Sequence, residues 1–125
     1  MDRIEIRGLR VHAHHGVHAA EQRDGQTFVI DVTLNRDLSL PATSDDLADT
    51  VDYGALAQRL ATAATETRFD LIEALAGHLA DLVLAAPGVQ QAQVRVAKPQ
   101  AAIAVDLDEV AVVVTRRAAP TQPPL

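Results

Sequence analysis

At 125 residues without an internal repeat, the chain is long enough for one domain with its own core and too short for two. It contains no cysteine, which excludes disulfides and thiolate metal sites. The net charge of -6 argues against nucleic acid and anionic membranes as partners. With no signal peptide or membrane-spanning run in the sequence, we expect a cytoplasmic protein.

Two strands are predicted in the first third of the chain. Ile4 and Ile6 alternate with charged residues, and the apolar parity changes after Gly8, which predicts a bulge. Residues 12–25, with the sequence HAHHGVHAAEQRDG, have no clean period, and we predict a loop. A second alternating strand, antiparallel to the first, is predicted over Phe28, Ile30, Val32 and Leu34.

Two helices are predicted in the middle of the chain. In the first, Leu56 and Leu60 recur four residues apart after a polar stretch over residues 44–52. Asp70 is the predicted N-cap of the second helix, which the sequence AAPG at 85–88 ends. One face of this helix carries Leu71, Leu75, Leu79 and Leu82.

The last third of the chain predicts two more strands and a tail. One strand runs through Val94 and Val96 to Lys98. The tail 118–125 contains three prolines and is predicted to be disordered, which leaves residues 1–117 as the domain. The final strand is predicted on Val110, Val112 and Val114.

The resulting order ββααββ predicts an α+β fold, with an antiparallel sheet and both helices on one of its faces. The opposite face is also apolar in part, since it carries Val29, Ala97, Ala111 and Val113. Because a single layer of helices covers only one face, we expect self-association through the sheet or its edges.

Lys98 is a candidate for chemistry because it lies on the apolar side of its strand with Val94 and Val96. It directly precedes Pro99, where the strand must end. The plain alternative is a lysine at a strand end whose ammonium reaches water.

Glu73 is a candidate for ligand binding because it lies near the predicted start of the second helix. A carboxylate there is held rigidly and favoured by the helix dipole, and it can accept two adjacent N–H donors of a planar ligand. The plain alternative is a capping box, which the sequence Asp70-Leu71-Ile72-Glu73 fits.

Tyr53 and Glu21 have equally plain alternatives. Tyr53 is the only tyrosine, and at a helix start it fits a core-edge residue with a hydrated hydroxyl. Glu21, in the predicted loop, fits a solvated side chain. The clustered His12, His14, His15 and His18 invite a zinc hypothesis, but no further metal ligand is indicated, so we expect no metal.

In combination, these residues stand in phrases that resemble the dihydroneopterin aldolase family of folate biosynthesis, over residues 3–117. The phrases are IEIRGLRVHAHHGV, AEQRDGQTFVIDVTL, SDDLADTVDYGAL, DLIEALAGHLA and VRVAKPQAAI. The resemblance implies the tunnelling fold, in which four ββααββ subunits join their sheets edge to edge into a ring around a β-barrel. Two rings commonly stack into an octamer, and the active site lies between subunits.

The resemblance also implies roles for particular residues. Glu73 in DLIEAL resembles the pterin anchor, with the backbone at Ile72 helping. Tyr53 in TVDYG is similar to the tyrosine that a neighbouring subunit lends to the site. Glu21 in HAAEQ resembles the glutamate near the substrate's side chain, and Lys98 in VAKPQ resembles the proton donor and acceptor.

The family reaction is the retro-aldol cleavage of 7,8-dihydroneopterin into 6-hydroxymethyl-7,8-dihydropterin and glycolaldehyde. The N5=C6 imine of the pterin accepts the electron pair, so neither a lysine Schiff base nor a metal or other cofactor is required. Proton transfers remain, and Lys98 with Tyr53 and bound water are expected to carry them. The family usually has a proline where Ala102 stands, which predicts a looser loop after Lys98.

Three alternatives stay open at this point. The first is an epimerase of dihydroneopterin or of its triphosphate, since cleavage followed by re-addition inverts the 2′ centre. The second is a zinc-dependent relative such as 6-pyruvoyltetrahydropterin synthase, whose chemistry typically requires a cysteine, which this chain lacks. The third is a non-catalytic protein that binds pterins or forms rings.

Overall fold

The computed structural model describes residues 1–101 and 103–119, so Ala102 and residues 120–125 lie outside the description. The strands are β1 (Arg3–Ala13), β2 (Gln26–Asn35), β3 (Gln91–Lys98) and β4 (Val110–Arg117). The helices are α1 (Ala19–Asp24), α2 (Ser39–Ser44), α3 (Tyr53–Glu66) and α4 (Ile72–Leu84), with a 3-10 turn at Leu47–Asp49. None of the helices in these ranges is long and apolar enough to cross a membrane.

The four strands form one antiparallel sheet in the order β1-β2-β3-β4. The long helices α3 and α4 contact this sheet, α3 against β1 and α4 against β3 and β4. The predicted order of two hairpins around a helix pair is therefore confirmed. The predicted disorder of residues 118–125 concerns mostly residues outside the description.

The core lies between the sheet and the two long helices. The alternation of β2 is confirmed, because its helix-facing side chains from Phe28 to Leu34 are 0–1% exposed. The largest fully buried aliphatic side chains from the helices are Leu60, Leu75, Leu79 and Val83. Burial of each such side chain contributes about 1.5–3 kcal/mol. Aliphatic side chains therefore make up most of this core, to which Phe28 also belongs.

The predicted bulge at Gly8 is confirmed. The register between β1 and β2 shifts between Ile6 and Leu9, and Gly8 has a φ of 73°. The Gly8 N–H donates to the side chain of Asp31 (Oδ1, 2.6 Å) instead of to the backbone of β2. Glycine suits this position because other residues adopt positive φ at a cost.

The prediction that residues 12–25 form a loop is wrong in part. β1 continues to Ala13, and the six-residue helix α1 follows from Ala19. A helix this short shows no periodicity in the sequence and is marginal by itself, so it depends on contacts from outside. Histidine rings of β1 and the following segment supply some of these contacts, as described below.

The predicted N-cap of the second long helix is also wrong. α4 begins one residue later, with Leu71 as its N-cap and no side-chain cap hydrogen bond. The Asp70 carboxylate instead accepts a hydrogen bond from Gln22 Nε2 at 3.1 Å. The buried face of α4 therefore begins at Ile72 and continues through Leu75 and Leu79 to Val83, while Leu71 is 51% exposed.

The sheet face turned away from the helices is apolar only in part. Val113 on this face is 52% exposed, in line with the sequence pattern. However, Asp31 and Arg95 form a cross-strand pair on the same face, with a charge contact of 3.8 Å. Arg95 also bonds to Glu109, so this face combines an aliphatic part with a charged part.

His15, which follows β1, joins three segments of the chain. Its ring is fully buried, Nε2 lies 2.7 Å from the Ala64 carbonyl, and the Phe69 N–H donates to Nδ1 at 3.0 Å. Because Nδ1 accepts, the neutral ring carries its proton on Nε2 and donates it to Ala64. The next residue, Gly16, donates its N–H to the Phe69 carbonyl at 3.0 Å. These bonds fix the segment after β1 against the connection between α3 and α4.

We predict that His15→Leu lowers the free energy of unfolding by about 2–4 kcal/mol, because the Ala64 carbonyl and the Phe69 N–H lose their buried partners. Urea denaturation at pH 7.5 and fixed protein concentration measures this loss. His78→Leu, at an exposed position of α4, is the matched control and should change stability by about 0.5 kcal/mol or less. Equal losses in both variants would contradict the role assigned to His15.

The same variant tests a pH dependence. Burial lowers the pKa of His15 from its ordinary 6.5; the hydrogen bond to Ala64 opposes this, and the charges of His14 and Lys98 add to it. Below pH 6.5, the unfolded chain therefore binds a proton at His15 that the folded chain does not bind. The contribution of His15 to the free energy of unfolding is thus complete above pH 6.5 and declines as the pH falls below it. We expect the difference in free energy of unfolding between wild type and His15→Leu to be smaller at pH 5.5 than at pH 7.5. A constant difference would show that the ring does not titrate on unfolding.

Candidate active site

A cavity of ≈ 210 Å³ opens where β3 ends, between α1 and the start of α4. The ionisable side chains in its wall are His18, Glu21, Glu73 and Lys98. The remaining wall is aliphatic and includes Val17, Leu71, Ile72, Ile103, Val110 and Val112. A mostly apolar slot with a few polar groups is the usual composition of a small-molecule site.

Lys98 is the last residue of β3 and the only lysine in the chain. Its strand position places it on the helix-facing side with Val94 and Val96, as predicted, and its side chain is 16% exposed. Nζ donates to Glu21 Oε2 at 2.9 Å. The alternative of an ammonium that simply reaches water is therefore wrong, because the amine is paired inside the cavity.

Glu21, on α1, is 8% exposed, so the alternative of a solvated loop side chain is also wrong. Oε2 accepts from Lys98 Nζ and from Gln26 Nε2 at 2.7 Å, and Oε1 accepts from the His18 N–H at 3.2 Å. Burial alone would raise the pKa of the Glu21 carboxyl, but these hydrogen bonds and the Lys98 charge outweigh it and lower the pKa from 4.5. The carboxylate is therefore ionised at neutral pH and aimed at the amine.

Gly16 makes room for this carboxylate. Its φ is 141°, and a Cβ at this position would lie 2.4 Å from Glu21 Cδ and Oε1. Both the backbone conformation and the lack of space exclude a larger residue without movement of Glu21. The sequence contained this glycine, but only the structure reveals its contact with Glu21.

Glu73 and Ile72 lie in the first turn of α4 and both contribute to the cavity wall. Glu73 is exposed and makes no hydrogen bond or ion pair with residues 1–101 and 103–119, so the predicted capping box does not form. The first N–H groups of a helix lack partners within the helix. This end of the cavity thus offers an acceptor carboxylate beside backbone donors.

Tyr53 is the one predicted site residue that the single chain does not bring to the cavity. It is the first residue of α3, where Asp52 caps the helix by accepting from the Ala55 N–H at 3.0 Å. Tyr53 is 62% exposed and does not contribute to the cavity wall. Ala102, the predicted departure after Lys98, lies outside the described residues.

Two histidines of the cluster, His12 and His14, bond to the backbone of α1. His12 Nε2 lies 3.1 Å from the Asp24 carbonyl and His14 Nδ1 lies 3.0 Å from the Gln22 carbonyl, so both rings bond to the last turn of α1. Within the part of the chain that the structure describes, no three His, Cys, Asp or Glu side chains could hold a metal ion. The rings therefore anchor the helix that carries Glu21.

Gln26 does not line the cavity but bonds to Glu21, and the sequence pattern was not used to single it out. It opens β2 and faces the helices on the same side as Phe28 and Ile30. A polar residue at an apolar position of an alternating strand was the signal, and it is the same signal that identified Lys98.

Comparisons with known proteins point to one family. The sequence model of the dihydroneopterin aldolase family matches residues 4–115. The chain is 41% identical over 116 residues to dihydroneopterin aldolase from Streptomyces coelicolor, covering 93% of this chain and 98% of that protein.

Two solved structures are similar to this chain over more than nine-tenths of its length. Escherichia coli dihydroneopterin aldolase in complex with neopterin aligns with a TM-score of 0.84 at 31% identity, over 93% of this chain and 99% of that one. Burkholderia thailandensis dihydroneopterin aldolase bound to guanine aligns with a TM-score of 0.77 at 30% identity, over 94% and 92% of the two chains. The single-chain fold expected from the sequence, an antiparallel four-stranded sheet with helices, is confirmed by this likeness. A family match from residue 4 to residue 115, together with end-to-end similarity in sequence and structure, shows that the chain belongs to the dihydroneopterin aldolase family.

Proposed function

We propose that the cavity binds 7,8-dihydroneopterin and cleaves it, by a retro-aldol reaction, into 6-hydroxymethyl-7,8-dihydropterin and glycolaldehyde. The observation that carries the proposal is the Lys98–Glu21 pair at 2.9 Å, in a cavity that also contains Glu73. A paired amine and carboxylate can move protons, and the second carboxylate can orient the ring.

Glu73 is proposed to anchor the pterin. Neopterin and guanine, bound by the two solved relatives, share a 2-amino-4-oxo-pyrimidine edge with two adjacent N–H donors. A carboxylate that accepts both hydrogen bonds recognises this edge in bidentate fashion. The backbone N–H groups at Ile72 and Glu73 are suited to the carbonyl oxygen of the same edge.

The pterin itself accepts the electrons of the broken bond. When C1′–C2′ breaks, the 2′-hydroxyl becomes the carbonyl of glycolaldehyde and the electron pair moves through C1′=C6 onto N5. N5 takes up a proton, which gives a neutral enamine. Protonation of the enamine at C1′ and loss of the N5 proton restore N5=C6 and release the product. The ring therefore fulfils the role that a Schiff base or a Lewis acid has in other aldolases.

The protein's own task is then proton transfer. A base must remove the 2′-hydroxyl proton, and an acid must deliver a proton to C1′. Lys98 Nζ, with Glu21 as its hydrogen-bond acceptor, is proposed to exchange these protons with substrate and with water in the cavity.

A neighbouring copy of the chain is proposed to complete the site with Tyr53. The exposure of Tyr53 at the start of α3 supports this proposal, as do exposed apolar residues near the cavity mouth, including Val17, Leu71 and Ile103. Such residues gain most if a second copy covers them. The proposed assembly is a ring of four chains with sheets joined edge to edge, two of which stack into an octamer.

An epimerase side activity follows from the same chemistry. If glycolaldehyde adds back to the other face of the enamine before it leaves, the 2′ centre is inverted. Product analysis with dihydroneopterin and with its triphosphate separates the activities: the aldolase releases glycolaldehyde, and an epimerase returns only the 2′ epimer.

Lys98→Ala should lower kcat for dihydroneopterin cleavage by about 10²–10⁴-fold, the usual contribution of an acid–base group. Lys98→Arg should be similarly impaired, because guanidinium keeps the charge but does not release a proton. Steady-state assays of glycolaldehyde release measure both variants, with Arg23→Ala on the exposed side of α1 as the control. Wild-type turnover by Lys98→Ala would refute the role of Lys98, and a wild-type protein that binds pterin without turnover would favour a binding protein.

Glu73→Gln should weaken neopterin binding by about 2–3 kcal/mol, or roughly 30- to 150-fold, since one of two charge-assisted hydrogen bonds is lost and the other weakened. Isothermal titration calorimetry measures this change. The control is Asp70→Asn, which also lies near the start of α4 but bonds to Gln22. Unchanged affinity in Glu73→Gln would exclude the carboxylate as the anchor.

Mixing two inactive variants tests the shared site. Tyr53→Phe and Lys98→Ala should each be impaired alone, but refolding them together should restore about a quarter of wild-type sites if neighbouring chains contribute one residue each. Activity that does not recover on mixing would mean that Tyr53 and Lys98 act from the same chain or that Tyr53 is not involved.

A further inference from the structure

We propose that Gln26 is a positioning residue of this site, whose side-chain amide holds the Glu21 carboxylate in the orientation in which it meets the Lys98 ammonium. The inference rests on the catalytic roles proposed for Lys98 and Glu21. It adds a third member, on a third segment of the chain, to that pair.

Gln26 and Lys98 occupy related positions at the same border of the sheet. Gln26 is the first residue of β2 and Lys98 the last residue of the adjacent antiparallel strand β3, and both face the helices. Glu21 Oε2 receives Gln26 Nε2 at 2.7 Å and Lys98 Nζ at 2.9 Å. Two donors on different strands thus hold a single oxygen atom between them.

The chemistry of Glu21 determines how the Gln26 amide is turned. An ionised carboxylate only accepts hydrogen bonds, so the amide must present its NH₂ group and turn Oε1 away. Oε1 is consequently buried, and it has no hydrogen-bond partner among residues 1–101 and 103–119. Buried acceptors without partners are uncommon because they lose hydration without replacement. An apolar side chain would avoid this cost, so fold stability does not account for a glutamine here.

The Gln26 hydrogen bond instead favours the ionised form of Glu21. Burial raises the pKa of Glu21, and the donors Lys98, Gln26 and His18 lower it below the ordinary value. Without Gln26, Glu21 would take up a proton at higher pH, and a protonated carboxyl could no longer accept a proton from the Lys98 ammonium. Other titratable groups near Glu21 are the His18 ring and Glu73 in the same cavity, and Asp24, which lies three residues further along α1.

The test measures kcat and KM for dihydroneopterin against pH in Gln26→Met, which keeps an unbranched side chain and removes the amide. We expect kcat to fall about ten-fold at neutral pH, less than the 10²–10⁴-fold that an acid–base group contributes. We also expect KM to stay within about three-fold, and the acidic limb of the kcat profile to move to higher pH. An acidic limb and kcat equal to wild type would overturn the proposal.

Gln22→Met is the matched control. Gln22 is a glutamine of α1 that bonds to the Gly16 carbonyl and to Asp70 rather than to Glu21. Its replacement should leave the acidic limb where it is in wild type, even if local packing suffers. If Gln26→Met does not fold, Gln26→Glu supplies the same readout, since a second carboxylate beside Glu21 should move the acidic limb in the same direction.

The double variant separates failure of this inference from failure of the proposed function. In a Glu21→Gln background, Gln26→Met should change kcat by less than about two-fold, because its effect acts through a carboxylate that is already gone. An equal loss in both backgrounds would make Gln26 a structural residue and overturn the proposal. If Glu21→Gln itself retains wild-type kcat, the proposed role of Glu21 is wrong. If Glu21→Gln lowers kcat but Gln26→Met leaves it unchanged, only the role of Gln26 is wrong.

Discussion

The contact between the Lys98 ammonium and the Glu21 carboxylate is the interaction on which the site depends. Their side chains are only 16% and 9% exposed, and withdrawing two charges from water costs several kcal/mol unless the geometry is good. Gly16 makes room for the carboxylate, and His18 and Gln26 donate to it. Because apolar residues of similar volume often give equal stability, a buried pair of this kind is better explained by chemistry than by folding.

The fold and part of the site could be predicted because they follow from short-range patterns. Alternation in β2 fixes which side chains enter the core, and the same alternation in β3 places Lys98 beside Val94 and Val96 on the helix-facing side. The parity change at Gly8 likewise marks a bulge without knowledge of its partner strand. In each case the signal lies within a few residues of the feature it predicts.

The parts that could not be predicted depend on contacts between distant segments. Glu21 is 77 residues from Lys98 in sequence, so its burial and its pairing leave no local pattern. Helix α1 is held by histidine rings of the preceding segment, and Asp70 is drawn away from the start of α4 by Gln22. The local sequence predicts a loop at α1 and a cap at Asp70 from intrinsic preferences. In the folded chain, hydrogen bonds to distant residues override both preferences.

The position of Tyr53 has a practical consequence for spectroscopy. The chain has no tryptophan and this single tyrosine, so its intrinsic ultraviolet fluorescence comes essentially from one phenol ring at the start of α3. Since that ring is 62% exposed in the isolated chain, anything that covers it changes the polarity around the emitting group. The molecule therefore carries a native optical reporter for the occupancy of that part of its surface, without an added label.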